Sequence, residues 1–150
     1  MNKQRVSIAM CTYNGARHIQ EQLDSIAAQT RLPDELVVCD DIASDSTVEI
    51  VKSFISKVSF PVRLYINEEN LGIWKNKEKA ISLCTGDVIF LSDWDDVWKP
   101  NKIDKILAAF AKRPTLSRKI KTALNPNEVE SFKIGVQGLL DANNHLLLMQ

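Results

Sequence analysis

The run Val88-Ile89-Phe90-Leu91 is apolar without interruption, and it narrows the possible folds sharply. A strand with one wet face alternates apolar and polar residues. An unbroken run is instead covered on both faces, as in a parallel sheet with helices above and below. After Ser92 the same stretch becomes Asp93-Trp94-Asp95-Asp96, three carboxylates in four positions. Carboxylates so close together repel one another unless a cation or a set of donors holds them. Hard oxygen ligands suit Mg²⁺ or Mn²⁺, ions that keep positions open for substrate phosphates. On these residues alone the stretch is a divalent-metal site at a strand end or a solvated acidic turn, and both readings stand.

The same rhythm runs through the preceding chain. Residues 6–11 read as a first strand, closed by the turn Thr12-Tyr13-Asn14-Gly15. A helix over 16–28 carries Ile19, Leu23, Ile26 and Ala27 at helical spacing. Residues 35–39 form a second strand, with Asp40 and Asp41 at its end. Asp45-Ser46-Thr47 offers N-cap chemistry for a helix through Ser56, faced by Val48, Ile50, Val51, Phe54 and Ile55. Pro61 precedes a third strand over 62–66, and a polar turn over 67–72 leads to a helix over 74–84. Gly86 separates that helix from the Val88 strand, and Pro100 opens a helix over 101–112 striped by Ile103, Ile106, Leu107 and Phe110. Such alternation predicts an α/β fold with right-handed crossovers and a mostly parallel sheet covered by helices on both faces. Ligands then bind outside the C-terminal strand ends, at the switch point. The polar clusters after the first, second and fourth strands all fall there.

Residues 113–150 lack this rhythm. Arg113-Pro114 ends the preceding helix, and Arg118, Lys119 and Lys121 make a small basic patch. A helix is expected from Asn125, with Val129, Phe132, Val136, Leu139 and Leu140 as its face, while Leu146-Leu147-Leu148 suits either a strand or a helix turn. At 150 residues with 19 basic and 19 acidic side chains, the chain has no net charge to bind nucleic acid or an anionic membrane broadly. No apolar run approaches the roughly 18 residues of a spanning helix, and no leader peptide is visible, so a cytoplasmic protein is expected. Cys11, Cys39 and Cys84 have no metal-ligand spacing and read as reduced packing residues. A calcium loop fails at Val97, and a phosphoacceptor receiver would want its acids after the first strand.

Taken together, residues 6–15, Glu21-Gln22-Leu23-Asp24-Ser25-Ile26, 34–41, Asn70-Leu71-Gly72 and 86–103 resemble the N-terminal, nucleotide-binding half of the family 2 inverting glycosyltransferases, which have the GT-A fold. The segment 91–102 is similar to bacterial polysaccharide enzymes, rhamnosyltransferases among them. The resemblance implies that Thr12 and Tyr13 line the base pocket, with the tyrosine stacking on a pyrimidine, and that Asn14 helps bind the nucleotide. It implies that Asp40 and Asp41 accept from the base and ribose, and that Lys75 and Asn76 contact base or phosphate. Asp93 and Asp95 would be the Asp-x-Asp pair, with Asp93 touching the ribose and both holding Mg²⁺ or Mn²⁺. The implied partners are a UDP- or dTDP-sugar and a glycan or lipid-linked acceptor. The basic patch reads first as a solvated face, and alternatively as a peripheral contact with the inner face of the cell membrane.

Two departures stand out. Ile42-Ala43 replaces the Gly-Ser that usually follows the family's acid pair, and a β-branched residue at positive φ would be strained, so either the loop takes another path or nucleotide affinity is reduced. The acceptor-binding half and its catalytic acid have no counterpart after residue 112, so 1–112 reads as a nucleotide-sugar-binding core and 113–150 as a divergent helical tail. Glu128, Glu130 and Asp141 are carboxylates that nothing places. The expected activity is metal-dependent sugar transfer with inversion; the alternative is a truncated, non-catalytic nucleotide-sugar-binding fragment.

Overall fold

A computed structural model describes residues 4–111, 138–140 and 146–148. Strand and helix alternate as β1 (Val6–Thr12), α1 (Ile19–Ala27), β2 (Glu35–Asp40), α2 (Thr47–Ile55), β3 (Val62–Ile66), α3 (Ile73–Ser82), β4 (Val88–Asp93) and α4 (Lys102–Ala111). Two short strands follow, β5 (Gly138–Leu140) and β6 (Leu146–Leu148). They form one sheet in the order β3-β2-β1-β4-β6-β5. All pairings are parallel except β5 with β6. The sheet is mostly parallel, as the alternation predicts, and the strand order switches sides between β1 and β4.

Every residue of β1 and β2 is buried, which explains why neither strand alternates in hydropathy. On one face Ile8, Met10, Leu36, Val38 and Phe90 pack with Ile19, Leu23 and Ile26 of α1, Val51 and Phe54 of α2, and Ile103 and Leu107 of α4. On the other, Ala9, Cys11, Val37, Cys39 and Ile89 pack with Ala80 of α3 and with Cys84. Each fully buried large aliphatic or aromatic side chain contributes roughly 1.5–3 kcal/mol. The two-sided core therefore fixes the sheet, and the strand ends are free to carry chemistry. The three cysteines lie in this packing; burial pushes the Cys11 and Cys84 thiols up to about 12 and Cys39 to about 11, so they are inert.

Two local expectations change. α1 begins at Ile19, because 16–18 form turns whose backbone donors at His18 and Ile19 converge on the Gly15 carbonyl. The cap expected from Asp45-Ser46-Thr47 is supplied by Asp45, whose Oδ1 accepts from the Thr47 N–H at 3.0 Å, while Ser46 makes no side-chain cap. Leu139 and Leu140 stand in a strand instead of a helix, since β5 pairs with β6 and β6 with β4. Sheet pairing there overrides a helical spacing that was only local. The rest of the expected tail, including Glu128, Glu130, Asp141 and the 118–121 basic patch, lies outside the described residues.

Candidate functional site

Parallel register brings the polar strand ends together. Thr12 is paired with Asp40 across β1 and β2, and Cys11 with Asp93 across β1 and β4. Beyond them a cleft of about 270 Å³ opens, lined by Cys11, Thr12 and Tyr13, by Asp41, by Asn70, Gly72, Ile73 and Asn76, and by Asp93 and Trp94. That is the small end of the ligand-cleft range, which starts near roughly 300 Å³. Tyr13 is half-exposed at the rim, a face suited to stacking. A larger groove of about 480 Å³ lies beyond the acid stretch, lined by Asp96, Val97, Trp98, Lys99, Asn101, Lys102, Lys105 and Ile106. Five of the expected residues (Thr12, Tyr13, Asp41, Asn76 and Asp93) meet in the smaller cleft.

The acid pair divides its labour. Asp40 is buried below the cleft, its Oδ2 accepting from Thr12 Oγ1 at 2.6 Å and its Oδ1 from the Ala43 N–H at 2.8 Å. It positions Thr12 and is not among the residues that line the cleft. Asp41 does line it, yet it also clamps the wall. Its Oδ1 accepts from Asn67 Nδ2 and the Leu71 N–H, and its Oδ2 from the Gly72 N–H at 2.9 Å. Burial pushes Asp41 up, but these donors and the charge of Lys79 outweigh it and hold the carboxyl below its ordinary range. Ile42 follows with φ +60, so the loop takes the left-handed turn that glycine usually fills. The strain expected of a β-branched residue there is present, at a cost of about 1–2 kcal/mol.

Asn14 also has φ in the left-handed region, at +49. Its Oδ1 accepts from the Ser44 N–H at 2.7 Å, which ties the first loop to the second and leaves Asn14 outside the cleft wall. Asn76 is buried: Nδ2 donates to the Cys39 carbonyl at 2.9 Å and Oδ1 accepts from Asn67 Nδ2. Lys79 Nζ completes this chain at Asn67 Oδ1, 2.8 Å away. Asn76 thus locks α3 onto β2. Lys75 is exposed in the first turn of α3 and is not brought to the cleft. Gly72, at φ +78, starts that helix with backbone a side chain would strain.

The acid stretch is positioned by α1 through a polar stripe that the apolar-face reading missed. Gln22 Nε2 donates to Ser92 Oγ at 2.5 Å, and the Trp98 N–H donates to Ser25 Oγ at 3.0 Å. Gln29 Nε2 donates to the Lys99 carbonyl at 2.8 Å, and Gln29 Oε1 accepts from the Ile103 N–H. The signal was available in part: polar residues at positions 22 and 25 share a face of α1, and Gln29 follows just past its end. Trp98 is a buried anchor against Phe90, while Trp94 lies over Gly15, where a Cβ would come within 2.9 Å of the indole. Trp74 neither packs on the sheet nor lines the cleft, being 75% exposed.

Asp93 faces the cleft and pairs with Lys77 Nζ at 2.8 Å, a contact no sequence spacing suggests. Asp95 is exposed on the following turn, outside the cleft lining. Asp96 is pushed above its ordinary value by burial and by the charges of Asp95 and Asp93, against the pull of Lys102 and Lys77. Crowded carboxylates of this kind suit a hard divalent ion, which would relieve their repulsion. Among the described residues no three His, Cys, Asp or Glu side chains form a metal cage. Asp93 at the cleft and the exposed Asp95 are the hard oxygen donors that could hold such an ion.

The family described as Glycosyl transferase family 2 matches residues 7–121. The Bacillus subtilis (strain 168) protein named "Putative glycosyltransferase EpsE" is 32% identical over 108 residues, covering 72% of this chain and 39% of its own length. S. aureus TarS 1-349 in complex with UDP superposes with a TM-score of 0.67 at 27% identity, over 73% of this chain and 33% of that one. The mannosyltransferase PcManGT from Pyrobaculum calidifontis, in complex with GDP-Man and Mn²⁺, gives 0.60 at 28% identity, over 65% and 29%. This chain thus spans between a quarter and two fifths of the length of these relatives. The sheet order, the strand-end cleft and these matches agree: the chain is a Rossmann-like GT-A unit and belongs to glycosyl transferase family 2.

Proposed function

We propose that the cleft binds the nucleotide diphosphate of a sugar donor, and that the chain serves metal-dependent transfer of that sugar, with inversion, to a glycan or lipid-linked acceptor. The carrying observation is the convergence of Tyr13, Asp41 and Asp93 from three strand ends on one cleft. That relatives are described with UDP and with GDP-Man and Mn²⁺ supports the donor class. The half-exposed Tyr13 ring offers a stacking face for a UDP or dTDP base, beside Thr12 and Asp41. Residues 1–112 form the nucleotide-sugar-binding core in this reading.

A departing diphosphate gains negative charge, and Mg²⁺ or Mn²⁺ bound at Asp93 and Asp95 would neutralise it. The chain's own side chains supply placement. Asp41 holds Leu71 and Gly72, and through them the α3 wall; Asp40 holds Thr12; the α1 polar stripe sets the height of the acid stretch. Inverting transfer also requires a base at the acceptor hydroxyl, and no residue is assigned to it.

Calorimetric titration of UDP and dTDP, with and without Mn²⁺, tests the reading. Metal is expected to tighten binding, and Asp95→Ala to weaken the metal-supported affinity by at least about tenfold, the lower range for disturbed metal sites. Equal affinities with and without metal, or an unaffected variant, would remove the metal bridge. Donor turnover by this chain is expected to be slight; robust turnover would reveal a base that the sequence did not.

A further inference from the structure

Lys77 lies on α3, one turn beyond Ile73 and next to Asn76, both of which line the cleft. Its ammonium is 2.8 Å from Asp93 Oδ1 and is the more enclosed partner, at 20% side-chain exposure against 44%. The contact joins a helix on one face of the sheet to the end of β4. The positive charge is also felt at Cys11 and at Asp96, so it sits among the groups that surround the acid stretch. An ammonium is a compact point charge that favours the same hard carboxylate oxygen as a divalent ion. Both cannot hold that oxygen at contact distance without repelling each other.

Resting on the reading that Asp93 and Asp95 hold a divalent ion, we infer that Lys77 is a resident counter-cation that competes with the metal for Asp93 and leaves it when metal binds. Two consequences follow from the charges. Bare metal binds this chain more weakly than its carboxylates alone would allow. Removing the ammonium strengthens metal binding, although it removes a native ion pair; a merely structural salt bridge would do the opposite or nothing.

The test is titration of Mn²⁺ alone into the full chain, following the free-ion signal by electron paramagnetic resonance, for the wild type, Lys77→Met, Lys77→Arg and Asp93→Asn. Lys77→Met should bind Mn²⁺ about fivefold more tightly, the factor set by an exposed ion pair of about 1 kcal/mol. Lys77→Arg, which keeps the charge, should stay near wild type, and Asp93→Asn should lose most of the affinity. Unchanged or weaker binding by Lys77→Met, or equal tightening by Lys77→Arg, would overturn the inference while leaving the metal reading intact provided Asp93→Asn still loses the ion. No dependence on Asp93, or no Mn²⁺ binding by any of the four proteins, would overturn both.

Discussion

Ile42 is the position where this chain departs most visibly from its family, and its backbone records the departure at φ +60. A β-branched side chain resists that region, and 42% of it remains exposed, so little packing offsets the strain. Ile42→Gly is therefore expected to raise unfolding stability by about 1 kcal/mol after glycine's own entropic cost, measured by urea denaturation; a loss would show that the isoleucine packs more than its exposure implies. Glu35 sits at the opposite end of the sheet. It accepts from Ser7 Oγ and the Thr85 N–H, both at 2.6 Å, and pairs with Arg63 at 2.5 Å. Burial pushes its carboxyl up, but those donors outweigh it and hold it below the ordinary 4.5. A depressed folded value means stability that is complete above about 4.5 and lost as pH falls through the lower folded value. Glu35→Gln should cost about 2 kcal/mol near neutrality and flatten the acid limb of the stability curve. An acid limb as steep as wild type would contradict the assignment.

Helix α1 does two jobs with two faces of unlike chemistry. Ile19, Leu23 and Ile26 build the core, while Gln22, Ser25 and Gln29 tie the helix to the segment that carries the carboxylates. Removing Gln29 would leave the Ile103 N–H without its acceptor, while the Lys99 carbonyl would keep the Lys102 N–H, so Gln29→Ala should cost about 2 kcal/mol. It should also weaken Mn²⁺ binding, because the turn carrying Asp95 hangs from that tie; an unchanged metal affinity would separate the stripe from the site. The apolar half of this design was legible in the sequence, since spacing alone reports a helix face. The strand ends were legible too, because period and turn residues mark where a buried strand must stop. Lys77, Asn67 and the Asp40–Thr12 bond were not. Each depends on which elements become neighbours, and sequence spacing carries no such information. Leu139 and Leu140 failed for a related reason: their strand exists through pairing with β6.

Taken as one body, the molecule is a two-sided core whose parallel strands deliver Thr12, Asp41 and Asp93 to one rim. No helix among the described residues is long and apolar enough to cross a membrane, and the paired strands continue into β5 and β6 beyond the helical repeats. The shared rim matters because the loops that meet there are separated by most of the described chain. Only the sheet register brings them within reach of one ligand. Manganese is paramagnetic and broadens nearby amide resonances, so an amide nuclear magnetic resonance spectrum of the full chain with UDP and substoichiometric Mn²⁺ reads the site directly. The expected result is selective loss of the Cys11 to Tyr13 and Ser92 to Asp96 signals, dependent on Asp93, with the β3 and Glu35 signals kept. Broadening centred elsewhere, or spread evenly over exposed carboxylates, would contradict a nucleotide-metal site at these strand ends.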